Sequence, residues 1–144
     1  MKVKCTANTG FVLPKELLNE ESGYDKNTTF QITIGKEYVV YAITHIKKNA
    51  WFLICDDSSF GNYGGIYPNY LPAIFFQITD PQLSKFWIVT FASDNYNENE
   101  NVISIAFPEL LEDEYFLGNL WEEAEKEKEI FLKYKNSMDN EFLK

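Results

Sequence analysis

Phe30-Gln31-Ile32-Thr33-Ile34-Gly35-Lys36-Glu37-Tyr38-Val39-Val40-Tyr41-Ala42-Ile43 reads as two β-strands joined by a tight turn. Phe30, Ile32 and Ile34 alternate with Gln31 and Thr33, the two-residue period of a strand with one buried face. Gly35-Lys36 suits a two-residue turn with glycine in its first central position. Further along, Lys47-Lys48-Asn49 predicts a second turn and Trp51–Cys55 the next strand. Ala73–Thr79 and Phe86–Phe91 follow, joined by Asp80-Pro81-Gln82-Leu83-Ser84, in which Asp then Pro suits a type I turn. Val102–Phe107 adds one more. Short strands linked by tight turns pair with their neighbours antiparallel.

The pattern changes near Pro108, where proline can open a helix with Glu109, Glu112 and Asp113 near its positive end. Gly118 is the expected stop and Asn119 the expected N-cap, with Glu122 three residues on. A second helix is expected from about residue 120 to 138. Trp121, Ala124, Phe131, Tyr134 and Met138 share one face, and Lys128 fills the gap with its aliphatic stem. One α+β domain over 1–144 results: residues 1–107 form an antiparallel, curved sheet, and two helices over 108–144 lay an aromatic face on it.

The 144 residues are 45% hydrophobic and 17% aromatic, enough to build a core and to exclude a wholly disordered chain. All the basic residues other than His45 are Lys; Arg is absent. Residues 1–93 balance eight acids with eight lysines, whereas residues 94–144 hold fourteen acids and five lysines, so the whole formal charge of -9 sits in the last third. An acidic chain without Arg is poorly suited to nucleic acid phosphates or to an anionic membrane surface. No apolar stretch has the length of a membrane span, and none of signal-peptide length follows Met1-Lys2-Val3-Lys4. Cys5 and Cys55 form no zinc spacing. A cytoplasmic location with two reduced thiols is the expectation.

The sequence offers little for catalysis. His45 is the one side chain that titrates near neutrality unperturbed, but the expected hairpin separates it from Cys55 by roughly 10 Å. Asp56-Asp57 ends a strand at the start of a glycine-containing loop. Neighbouring strand residues point to opposite faces, so the two carboxylates do not make a ready acid/base pair, and a turn with Asp bonding local N–H groups explains them better. Asp57-Ser58-Ser59-Phe60-Gly61 lacks the alternating acids of a calcium loop. Gly61, Gly64 and Gly65 precede no Lys-Ser or Lys-Thr and no helix, so a phosphate cradle is not indicated. The expectation is a protein without enzymatic activity, cofactor or metal.

Two surfaces remain. Tyr63, Tyr67 and Tyr70, with Pro68 and Pro72, either cover one open end of the β-structure or line a partner-binding groove. Asp94-Asn95-Tyr96-Asn97-Glu98-Asn99-Glu100-Asn101 is polar and repetitive, and is expected to form an exposed loop. Its Asp94, Glu98 and Glu100 belong to the acidic third, which either keeps the protein soluble or steers a basic partner to its docking site.

Thr33–Tyr41, Trp51–Asp57, Tyr67-Pro68 through Phe75–Ile78 and Leu83–Trp87 together resemble small bacterial immunity-type proteins that pair with polymorphic or contact-dependent toxins. The likeness covers about residues 28–92 and leaves out the C-terminal helices. Thr33-x-Gly35-Lys36-x-Tyr38 also resembles the opening of SH3-like barrels, implying that the sheet is curved into a partly open SH3-like barrel. The resemblance implies a non-enzymatic protein that binds and blocks a basic, nuclease-like toxin domain. Such proteins use different surfaces, so no binding residue carries over. On charge and loop position alone, Asp56, Asp57, Tyr63, Tyr67, Tyr70, Asp94, Glu98 and Glu100 are the candidate partner-binding residues. The alternatives are a small ligand-binding or hydrolytic barrel with a pocket near Asp56, Asp57 and the tyrosines, and an accessory domain that assembles with copies of itself.

Overall fold

The computed structural model describes residues 1–19, 21, 23–58, 68–94 and 97–143. Among the described residues there are eight strands: β1 (Lys2–Cys5), β2 (Glu37–Val39), β3 (Ala42–Ile46), β4 (Asn49–Cys55), β5 (Pro68–Pro72), β6 (Phe76–Asp80), β7 (Ile88–Asp94) and β8 (Asn97–Ala106). They form two open sheets, β2-β1-β6 and β5-β4-β3-β8-β7, with every pairing antiparallel. Three helices close the chain: α1 (Pro108–Glu112), α2 (Phe116–Trp121) and α3 (Glu125–Asn140). The class is α+β with open antiparallel sheet, as the sequence predicts. No helix among the described residues is long and apolar enough to cross a membrane.

The five-stranded sheet is the middle layer, because its strands alternate between two cores. Phe52, Ile54 and Leu71 face the three-stranded sheet and pack with Val3, Cys5, Tyr38, Phe30 and Phe75. Ala42, Leu53 and Ala106 face the other way, onto Phe107, Leu110, Phe116, Leu120, Phe131 and Met138. The C-terminal helices therefore lie on the sheet through an apolar face centred on Phe131 and Met138.

Several local expectations are corrected. Tyr38–Ile43 is not one strand: Val40 donates to Met1 O at 3.0 Å and Tyr41 to Leu53 O at 2.8 Å, so the chain changes sheets there. Phe30–Ile34 is not a strand at all. Its ladder is replaced by Asn8, whose carbonyl accepts from Phe30 N at 2.8 Å and whose Nδ2 donates to Ile32 O at 3.2 Å. The turn is centred on Ile34-Gly35, with Lys36 N donating to Thr33 O at 3.1 Å and Gly35 in its second central position at φ 88°. That positive φ requires glycine. The β3–β4 turn is Lys47-Lys48 alone, with Asn49 already paired to Ile46. Ala73–Phe75 is a 3-10 turn between β5 and β6.

The segment expected as a polar loop instead prolongs a hairpin. Ser93 pairs with Asn101 and Asp94 with Asn97, so β7 and β8 run on past the apolar positions. A backbone ladder does not require apolar side chains, and the polar composition concealed it. Gly118 does not stop a helix; it lies inside α2, and the break comes at Glu122–Ala124, with Glu123 at φ 64°. There are consequently three helices, not two. Trp121 belongs to α2 and is half exposed, donating its Nε1 to Pro68 O at 2.9 Å.

Candidate functional site

Asp56 and Asp57 directly follow β4, and each carboxylate is engaged by its own set of protein donors. Asp56 is buried; its Oδ1 accepts from Ser58 N at 2.9 Å and from the Ser58 hydroxyl, and its Oδ2 from Asn69 Nδ2 at 2.9 Å. Asp57 Oδ2 accepts from Thr33 Oγ1 and the Tyr38 hydroxyl, both at 2.7 Å, while Oδ1 pairs with Lys36 Nζ. Burial pushes the Asp57 carboxyl up, but the hydrogen bonds from Lys36, Thr33 and Tyr38 outweigh it and hold the group below its ordinary range. The pair stitches β4 to β5 and to the Thr33–Lys36 turn.

Both cysteines are free, Cys5 in the core between the sheets and Cys55 against the helix-side core. Burial pushes the Cys5 thiol up and the Cys55 thiol up to about 12, so neither is an activated nucleophile. His45 is exposed and pairs with Ala50, five residues before Cys55. That puts them roughly 17 Å apart along the strand, beyond the sequence-based separation. Among the described residues no three His, Cys, Asp or Glu side chains gather as metal ligands.

The surface feature that stands out is the β7–β8 hairpin. Phe91, Ile103 and His45 share one cross-strand rung, and Val89, Ile105 and Ile43 the next. On this face Val89 is 55% exposed, Phe91 75% and Ile103 37%, while β7 is the sheet's edge strand, with no strand paired beyond it among the described residues. Unpaired edges and apolar rows invite pairing with another chain. The hairpin and the chain that follows it are acidic: residues 86–125 contain ten Asp and Glu and neither Lys, Arg nor His, the nearest base across the ladder being His45 on β3. Asp94 ends β7, and Glu98 and Glu100 lie on β8 near the hairpin tip. Alternation in Val89-Thr90-Phe91 and Ile103-Ser104-Ile105 carried this signal, but alternation alone cannot show that one face stays uncovered.

The opposite face of the same strands forms a cavity of about 250 Å³ under α1 and α2. Thr44, Ser104 and Thr90 lie on one rung across β3, β8 and β7. Thr44 Oγ1 donates to the Tyr70 hydroxyl at 3.3 Å and lies 3.2 Å from Ser104 Oγ. Burial raises the Tyr70 phenol above its ordinary value. Leu110, Leu111 and Leu117 wall the cavity and Asp113 and Glu114 stand at its rim. Of the tyrosine cluster, Tyr70 thus serves both as core cover and as lining; Tyr63 and Tyr67 lie outside the described residues, as do Gly61, Gly64 and Gly65. The hydroxyl set was invisible in sequence because it depends on the pairing of three separated strands.

No family model matches the chain, and neither the curated proteins nor the solved structures compared with it give a match.

Proposed function

We propose that this chain is a non-enzymatic binding protein, an immunity-type inhibitor that occludes a basic, nuclease-like toxin domain in the cytoplasm. The observation that carries the reading is the β7–β8 hairpin, where an exposed apolar row and a free strand edge sit within a segment bearing ten acids and no base. A basic partner gains steering from the charge and affinity from burying Val89, Phe91 and Ile103. Self-assembly along the same edge would bring two such acidic segments together, which opposes it. A hydrolytic role for Asp56 and Asp57 is disfavoured by the donors that already occupy their oxygens.

The test is a tagged pull-down from the native cell, washed at low and then moderate salt, with bound proteins identified by mass spectrometry and the mass of the free protein measured in parallel. One basic partner at equal abundance, retained by the wild type and lost by Phe91→Asp, is the expected result. A free protein with no stoichiometric partner, in cells shown to express the toxin locus, would overturn the reading. A discrete self-assembled mass would point to the accessory-domain alternative.

A further inference from the structure

We propose that the cavity between β8, β7 and the α1–α2 corner is a receptor for one Lys or Arg side chain of the partner. The inference rests on the basic-partner reading above but concerns a different face of the hairpin. Proton accounting sets the polarity of the floor. A hydroxyl has one proton, and that of Thr44 goes to Tyr70. Ser104 Oγ lies 3.2 Å from Thr44 Oγ1, and whichever of the two donates, Ser104 keeps a lone pair as an acceptor for a guest. Thr90 adds a second hydroxyl on the same rung.

The wall and rim complete the match. Leu111 and Leu117 offer an apolar surface to a methylene stem, and Asp113 and Glu114 place carboxylates at the mouth for a terminal charge. Asp113 is held in place because its Oδ1 accepts from Tyr115 N at 2.9 Å. An anionic guest would face these carboxylates with no base among the lining residues. At about 250 Å³ the cavity is smaller than the roughly 300–1,000 Å³ of pockets that enclose drug-sized ligands, and a single side chain is a better fit.

The experiment is an NMR titration of the isotope-labelled protein with N-acetyl-arginine methylamide and N-acetyl-lysine methylamide, with the norleucine and glutamate counterparts as controls. The cationic probes should give saturable shifts at Ser104, Thr90, Leu111 and Leu117, with a Kd on the order of 1 mM. Asp113→Asn/Glu114→Gln, which removes charge at an exposed rim and leaves the core alone, should weaken binding about fivefold. Ser104→Leu, which fills the floor, should abolish it. Equal shifts with norleucine, or non-saturating shifts spread over the acidic helices, would overturn the proposal. Such a result beside a captured basic partner would mean that the partner docks elsewhere, whereas saturable binding without any captured partner would separate this site from the inhibitor reading.

Discussion

The Tyr38 hydroxyl donates to Asp57 Oδ2 at 2.7 Å while accepting from Thr33 N at 2.8 Å, so one phenol ties β2 and the Thr33–Lys36 turn to the chain leaving β4. Tyr38 is buried, whereas Thr33 and Lys36, the other Asp57 partners, lie at the surface. The three donors converge on one carboxylate, and its charge is what they share.

Asp57→Ala should therefore destabilise the protein by about 2 kcal/mol, since it removes charge-assisted bonds and strands a buried phenol. Asp57→Asn keeps one acceptor and should cost about 1 kcal/mol. Because the folded carboxyl titrates below its ordinary value, its contribution is complete above about pH 4 and disappears as the pH falls through the lower folded value. Urea midpoints at neutral and acidic pH check this: the gap between wild type and Asp57→Asn should narrow on acidification. An unchanged gap would mean that the charge is not what the cluster uses.

Two glycines make opposite predictions. A Cβ on Gly10 would stand 1.8 Å from Asp25 O, and the Gly10 N–H donates to Thr28 O at 2.9 Å. Gly10→Ala should cost about 2–3 kcal/mol by forcing the 25–28 turn away. Gly118 lies within α2 with open space around its Cβ position. Gly118→Ala should stabilise by about 0.5–1 kcal/mol, the helix-propensity gain. Thermal melts of the two variants decide both signs, and a destabilised Gly118→Ala would show that its backbone is needed for the α2–α3 corner.

What was legible in the sequence was local. The β3–β4 hairpin followed from aromatic and β-branched runs flanking Lys47-Lys48, and the burial of Phe30 and Ile32 from their alternation. The missed features depend on distant partners. Asn8 supplies the backbone bonds that replace a strand at Phe30–Ile32. Val40 and Tyr41 are both buried, one in each core, so an unbroken apolar run hid the corner between sheets. Among the proposed binding residues, Asp56 and Asp57 are adjacent in sequence but bond separate partners, Ser58 and Asn69 for the first and Thr33, Lys36 and Tyr38 for the second. The cavity rung of Thr44, Ser104 and Thr90 needed strand order and register to be seen.

Tyrosine ionisation probes both cores at once. Burial and the hydrogen bond to Asp57 push Tyr38 up to about 12; burial and the bond to Glu109 do the same for Tyr134. Tyr41 is driven further up by burial, Cys55 and Asp139, whose Oδ1 its hydroxyl reaches at 2.7 Å. An alkaline absorbance titration should thus leave at least these three of nine tyrosines neutral well above the ordinary phenol value of about 10. Raised values mean that the stabilisation is present below about pH 10 and is lost as the pH climbs through the folded values. Removing Tyr41 by Tyr41→Phe should delete one late-titrating group and cost about 1 kcal/mol. If all nine ionise together near the ordinary value, while circular dichroism shows the fold intact, the packing around Tyr41 and Tyr38 is not as described.

Charge and apolar contact at the hairpin should separate kinetically once a basic partner is in hand. Glu98→Lys and Glu100→Lys reverse charge near the tip of a segment with no compensating base, so they should slow association and flatten its salt dependence while leaving dissociation nearly unchanged. Phe91→Ser removes an exposed ring, 75% accessible, and should alter folding stability by no more than about 0.5 kcal/mol. In the complex that ring would be buried, so the same variant should speed dissociation, about tenfold for an interface anchor worth roughly 1.4 kcal/mol. Surface-plasmon kinetics at two salt concentrations distinguish the two effects. Wild-type association by both lysine variants would remove the hairpin tip from the docking surface, and a Phe91→Ser complex that dissociates at the wild-type rate would remove the apolar row.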